Sequence, residues 1–233
     1  KARLQQKNPY QLKERSDAEA LVKQMSQQNG RVTAIEEKVK TESAPLPYDL
    51  TEIQREANQR YGFSAKKTLS LVQSLYETHK IVTYPRTDSK YLTNDMKATM
   101  KERLQAVADF APEVKGYLKN GGQVVQQAVF NDKKVTDHHA LLPTEQRARY
   151  EKLTTDEQRI YQMIVSRFLM LFAKPHKKQQ QKVTVTFGSE TFVFNRNTVL
   201  EAGWKTTSEE ETSDIAWQKG STVKPEFTIQ KEL

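Results

Sequence analysis

The spacing of apolar residues changes character along this chain, and that change restricts its fold more than any other feature. Ile160, Tyr161, Ile164, Val165, Phe168, Leu169, Leu171 and Phe172 recur at the period of a helix with one broad apolar face, opened by Thr155 and Gln158 and closed at Pro175. Directly afterwards the period falls to two. Val183, Val185 and Phe187 alternate with Lys182, Thr184 and Thr186, and Gly188-Ser189 turns the chain into Phe192 and Phe194, the pattern of a β-hairpin. A chain carrying both periods calls for helices and a sheet in separate layers.

Two further helices are legible upstream. Asp49 and Glu52 have capping spacing and predict a helix over 50–61 that stops at Gly62; Ser64 opens another through Leu69, Val72, Leu75 and Tyr76. Behind it comes the β-prone run Ile81-Val82-Thr83-Tyr84, cut by Pro85. Thr93 or Asn94 can cap a third helix ending before Pro112, and from Gly121-Gly122 to Pro143 no period is visible. Nearer the start, Ser16 and Glu19 repeat the capping spacing ahead of Leu21, Val22 and Met25, with Asn29-Gly30 as a stop. Val32, Thr33, Ile35 and Val39 predict a strand over 31–40 with one wet face. Trp204, Trp217 and the stretch 223–229 promise more strands, and Glu209-Glu210-Glu211 reads as a solvated loop tip. Strand signals therefore flank a helical middle. The expected class is α+β: a discontinuous β-rich domain from residues 1–44 and 178–233, with a mainly helical domain over 45–177 inserted between its halves.

Charge narrows the partner. The chain holds 37 Lys and Arg against 29 Asp and Glu, a net charge of +8, and the middle region carries most of the excess. Such a balance suits a polyanion, with a generally solvated basic surface as the plain alternative. The absence of cysteine excludes disulfides, thiolate metal sites and a cysteine nucleophile, and no apolar run reaches the length of a membrane span. The chain opens Lys1-Ala2-Arg3, without a methionine or a signal stretch, and is expected to be a piece of a longer protein.

Two segments carry chemistry. Thr83-Tyr84-Pro85-Arg86-Thr87-Asp88-Ser89 gathers a phenol, a guanidinium, hydroxyls and a carboxylate at the exit of a short strand. Read plainly, it is a strand end with a proline turn and an Asp-Ser cap. Read chemically, Tyr84 is a weak nucleophile that needs a positive neighbour, Arg86 can fork onto a phosphate oxygen, and Lys80 and Lys90 raise the local potential. The second segment is Asp137-His138-His139-Ala140-Leu141-Leu142-Pro143-Thr144. Paired histidines with one aspartate make a poor zinc site, whereas a histidine that donates to phosphate or passes a proton fits either form of the ring. His79 and His176 read as structural.

Tyr84-Pro85-Arg86-Thr87-Asp88-Ser89, preceded by Gly62-Phe63-Ser64-Ala65-Lys66-Lys67-Thr68-Leu69 and followed by His138-His139-Ala140-Leu141-Leu142-Pro143-Thr144, resembles the type IA DNA topoisomerases, most closely their bacterial topoisomerase III branch. Pro47-Tyr48-Asp49-Leu50 and the segment from Tyr161 to Phe172 resemble the family too, so the matches run in order from about 45 to 177. The resemblance implies an ATP-independent isomerase in which Tyr84 attacks single-stranded DNA and joins its 5′ phosphate while another strand passes. It implies that Arg86 and His138 act at the scissile phosphate, and that Arg86, Thr87, Asp88, Ser89 and His138 make up the DNA-binding site. It implies magnesium for the parent enzyme, held by an acidic domain that nothing here matches. The fragment is accordingly expected to be inactive alone, with the parent's other domains as partners, no membrane, and a bacterial cytoplasm with its nucleoid as location. The family also implies a β-rich arch, with hinges near 45 and 177. A non-enzymatic module binding single strands through basic and aromatic side chains is the alternative.

Overall fold

Among the described residues the strands build one five-stranded antiparallel sheet. In the computed structural model, which describes residues 3–4, 14–205, 218–224 and 226, the first unit combines residues 1–42 with 176–233. It contains β1 (Arg3–Leu4), α1 (Arg15–Ser26), β2 (Gly30–Glu42), β3 (His176–Phe187), β4 (Glu190–Glu201) and β5 (Thr222–Val223), in the sheet order β1-β4-β3-β2-β5. Strand β3 pairs β2 with Ile35 opposite Val183 and Glu42 opposite His176, and it pairs β4 through the Gly188-Ser189 turn, where Gly188 has a φ of 59°. Val32, Val183, Val185, Phe187 and Met25 of α1 form the buried cluster, against which Ile35, Phe192 and Phe194 pack. Gly30 belongs to this packing: a Cβ there would lie 2.4 Å from the Phe187 ring.

Several local expectations change. Ser16 lies inside α1, whose N-cap is Glu14 without a side-chain cap bond. Strand β3 begins seven residues before Val183, at His176, because its polar first half is held by main-chain pairing on both sides rather than by apolar burial. Trp204 is in a turn after β4, where its indole Nε1–H donates to the Glu42 carbonyl (3.0 Å). Lys205 and Lys178 gather on the Glu42 carboxylate, and the Lys205 hydrogen bond foremost holds its pKa down to about 2. Of the expected later strands, Thr222–Val223 is present as β5, whereas Trp217, residues 227–229 and Glu209-Glu210-Glu211 lie outside the described residues.

The second unit is residues 43–175. Its helices are α2 (Leu50–Tyr61), α3 (Ala65–Glu77), α4 (Met100–Ala106), α5 (Val114–Lys119) and α6 (Thr155–Leu169). Asp49 caps α2, its carboxylate accepting from the Glu52 N–H (2.6 Å), and Ser64 caps α3 in the same way through Lys67. The cap of α6 is Thr154, one residue earlier than the sequence predicts, in a reciprocal box with Glu157. The third expected helix is broken into a tight turn over 94–99 followed by α4, and α5 is an element the sequence pattern did not announce. Ile53, Val72, Leu75, Leu92, Leu104, Leu141, Leu142, Ile160, Tyr161 and Phe168 are almost wholly buried in one core. Each such Leu, Ile or Phe contributes about 1.5–3 kcal/mol of burial, and Leu141 and Leu142 tie the irregular stretch before α6 into the core that the helices form.

A charged tie supports α2 from α6. The Arg167 guanidinium donates to Glu52 (3.0 Å), Glu56 (2.6 Å) and the Leu46 carbonyl (3.2 Å), and it lies 4.1 Å from the Tyr48 ring centroid. Burial, together with the bond its hydroxyl makes to Glu56, pushes the Tyr48 phenol up. Among the described residues no helix is long and apolar enough to cross a membrane.

Candidate active site

The site rests on two irregular segments zipped edge to edge. Val82 bridges Pro143, and the Thr83 N–H donates to the Leu142 carbonyl (2.9 Å). The run 81–84 is therefore a single bridge between two loops, where the sequence predicted a short strand. Thr83 adds a side-chain clamp: its hydroxyl accepts from the Leu142 N–H (2.9 Å) and donates to the Ala140 carbonyl (3.2 Å). Four residues on, the Thr87 hydroxyl donates to the His138 carbonyl (3.0 Å). Two threonines thus set the register between the segment that carries Tyr84 and the segment that carries His138.

That register brings the two rings together. The centroids of Tyr84 and His138 are 4.2 Å apart at 38°, and Tyr76 of α3 stands edge-on to Tyr84 at 5.5 Å. Tyr84 is half-buried and His138 exposed, so the phenol sits at the surface rim of the core rather than beneath it. Arg86 is exposed, its backbone fixed between buried Pro85 and buried Thr87. Asp88 is exposed and accepts from the Thr136 hydroxyl (2.7 Å).

Thr87 and Ser89 are only 5% and 4% exposed. The Ser89 hydroxyl donates to the Lys134 carbonyl (2.9 Å) and accepts from the Tyr91 N–H (3.1 Å), while Thr87 accepts from the Ser89 N–H (3.1 Å). Their oxygens brace the loop from below, with Tyr84, Arg86, Asp88 and His138 above it.

The two histidines divide their work. His139 Nδ1 is 2.8 Å from the Ala140 carbonyl, which can only accept, so this nitrogen carries the proton; burial foremost draws the ring's pKa down. It is a satisfied loop histidine beside an exposed His138. Lys90, expected to raise the potential at the site, is instead held by Glu52 (2.5 Å) and Asp49 (3.7 Å), and its bond to Glu52 pushes its pKa up. His79, at the end of α3, faces the Glu157 carboxylate (3.5 Å), and the buried His176 has Nδ1 against the Ala202 carbonyl (3.0 Å), so both are structural. Among the described residues no three His, Asp or Glu side chains form a group able to hold a metal ion.

Sequence reasoning passed over Tyr76, Thr136 and Arg103. Tyr76 lay on the apolar stripe of α3 and read as core. Arg103, buried on α4, donates to the Pro143 carbonyl (2.8 Å) and pairs with Glu145 (2.7 Å), anchoring the 138–144 segment from behind. Its spacing carries no signal, since its partners are about forty residues away.

The family model described as DNA topoisomerase matches residues 1–232. DNA topoisomerase 3 of Bacillus cereus is 40% identical over 198 residues, which cover 84% of this chain and 27% of that protein. The protein of the same name from Staphylococcus haemolyticus is 40% identical over 210 residues, or 88% and 29%, and that of Bacillus licheniformis 44% identical over 176, or 75% and 24%. Among solved structures, full-length topoisomerase I from Thermotoga maritima superposes with a TM-score of 0.68 at 24% identity, covering 96% of this chain and 37% of that one, which establishes a shared fold. The chain thus spans 27% of the length of the first of these relatives.

Proposed function

Since this chain belongs to the DNA topoisomerase family, we propose that it carries the nucleophile of a type IA reaction on single-stranded DNA, with Tyr84 as that nucleophile. The observation that supports this reading most is the packing of the Tyr84 ring against the exposed imidazole of His138, at 4.2 Å, on a rim that Arg86 shares. The phenol oxygen attacks phosphorus and the O–P bond to the 3′ oxygen breaks. The 5′ phosphate stays on the tyrosine; the phenol proton is lost and the departing 3′ oxygen gains one. Resealing is the reverse, and because one phosphodiester replaces another, no high-energy cofactor is consumed. Arg86 grips the non-bridging oxygens, and His138 donates to the phosphate or relays the proton. Asp88 shapes the surface, while Thr87 and Ser89 act from beneath it.

The chain's own residues supply position and charge. Magnesium, implied by the resemblance, finds no ligand set among the described residues. Within a protein of the relatives' length, decatenation or relaxation would follow strand passage through the opened strand, with single-stranded DNA and the parent's remaining domains as partners at the bacterial nucleoid.

The test is covalent. In a full-length protein carrying this segment, Tyr84→Phe should abolish the adduct that a labelled single-stranded oligonucleotide leaves on the protein in a denaturing gel with magnesium present. An adduct that persists on a phenol in the variant overturns the assignment, and wild-type protein that binds the oligonucleotide without ever forming one favours a binding module instead.

A further inference from the structure

Among the described residues Lys80 is the only one other than glycine with a positive φ, at 60°. It follows the C-terminal turn of α3, a place where a left-handed residue ends a helix and glycine is usual, because a Cβ crowds the neighbouring carbonyl. The turn is locked from both sides. The Ile81 N–H donates to the Leu75 carbonyl (3.1 Å), the Thr144 hydroxyl donates to the Lys80 carbonyl (2.7 Å), and the Thr144 N–H donates to the Ile81 carbonyl (3.0 Å). The strained residue is thus held by the same 138–144 segment that presents His138.

The strain delivers a cation. The exposed Lys80 ammonium lies 5.7 Å from the centroid of Tyr76, which in turn stands edge-on to Tyr84. Contacts link Lys80 to Tyr76, Tyr76 to Tyr84, and Tyr84 to His138. Lys80 is therefore joined to Tyr84 through one intervening ring, that of Tyr76. Lys90 is neutralised by Glu52 and Asp49, whereas among the described residues no carboxylate pairs with Lys80. A conformation that glycine would adopt without cost, occupied instead by a lysine with no carboxylate partner among the described residues and one ring away from a candidate nucleophile, points to use.

Resting on the reading of Tyr84 above, we propose that Lys80 is a phosphate-binding residue for the strand that lies on Tyr84, meeting a backbone phosphate that flanks the one attacked. The experiment measures fluorescence anisotropy of a labelled oligothymidylate on the 233-residue chain across a salt series, together with thermal melting. Lys80→Gly removes both strain and charge. It should raise the melting temperature by about 2–4 °C while weakening binding and reducing the slope of log affinity against log salt by about 0.7, one phosphate contact on a single strand. Lys80→Arg should keep both affinity and slope. An unchanged slope in Lys80→Gly overturns the proposal, as does a chain that binds no oligothymidylate at low salt. A fall in melting temperature alongside lost binding makes Lys80 structural and overturns it as well. Covalent attachment plays no part in this readout, so failure of the nucleophile assignment registers separately in the adduct gel.

Discussion

Thr83 shows how much one side chain next to the candidate nucleophile has to do. Its hydroxyl meets both Leu142 and Ala140, and Leu142 is fully buried, so no water can replace the bond to its N–H. Thr83→Val keeps the shape and leaves that N–H without a partner. The expected cost is about 1–3 kcal/mol, seen as a lower midpoint in denaturant unfolding, with Thr83→Ser close to the wild type; a Val variant as stable as the wild type would remove the clamp from the account. The β-branched run around Thr83 made an extended backbone legible in the sequence. Its partners were not, because they are 57 and 59 residues away and reach it through main-chain atoms that any residue type carries.

At the level of elements, α6 depends on the carboxylate at its N-terminus. Burial pulls the Glu157 pKa up, but hydrogen bonds from the Ser74 hydroxyl (2.6 Å) and from the Thr154 N–H and hydroxyl (2.8 Å each) outweigh it, and the net shift is downward. A carboxyl depressed in the folded state stabilises the fold above its unfolded pKa, and this contribution fades as pH falls through the lower folded value. Glu157→Gln should therefore cost about 1 kcal/mol near neutral pH, in the range of a lost cap, and should lessen the loss of stability below about pH 4.5. Melting curves between pH 3 and 7 check this; an acid limb as steep as that of the wild type would assign the pH dependence to other carboxyls. Helices α2, α3 and α6 were legible because caps and apolar stripes are local. Two features were hidden for opposite reasons. The Lys-Lys-Gln-Gln-Gln half of β3 shows no alternation because neighbouring strands, not an apolar layer, hold it, and α5 is too short for a period to register.

For the molecule as a whole, these 233 residues supply the proposed nucleophile, and among those described no three His, Asp or Glu side chains form a group able to hold a metal ion. By themselves they are expected to leave the topology of supercoiled plasmid unchanged with magnesium present, as read on an agarose gel. Robust relaxation by this chain alone would overturn the division of labour between it and the rest of a protein of the relatives' length. The sequence by itself determined the α+β class, the positions of the long helix and the hairpin, and the residues whose chemistry suits a phosphate, because periodicity, capping and side-chain chemistry are properties of neighbours along the chain. Only the tertiary structure decided which of those residues face outward. It placed Tyr84 against His138, turned the Thr87 and Ser89 hydroxyls inward, neutralised Lys90 and left Lys80 beside Tyr76, because each of these depends on backbone hydrogen bonds and charges brought together from distant parts of the chain.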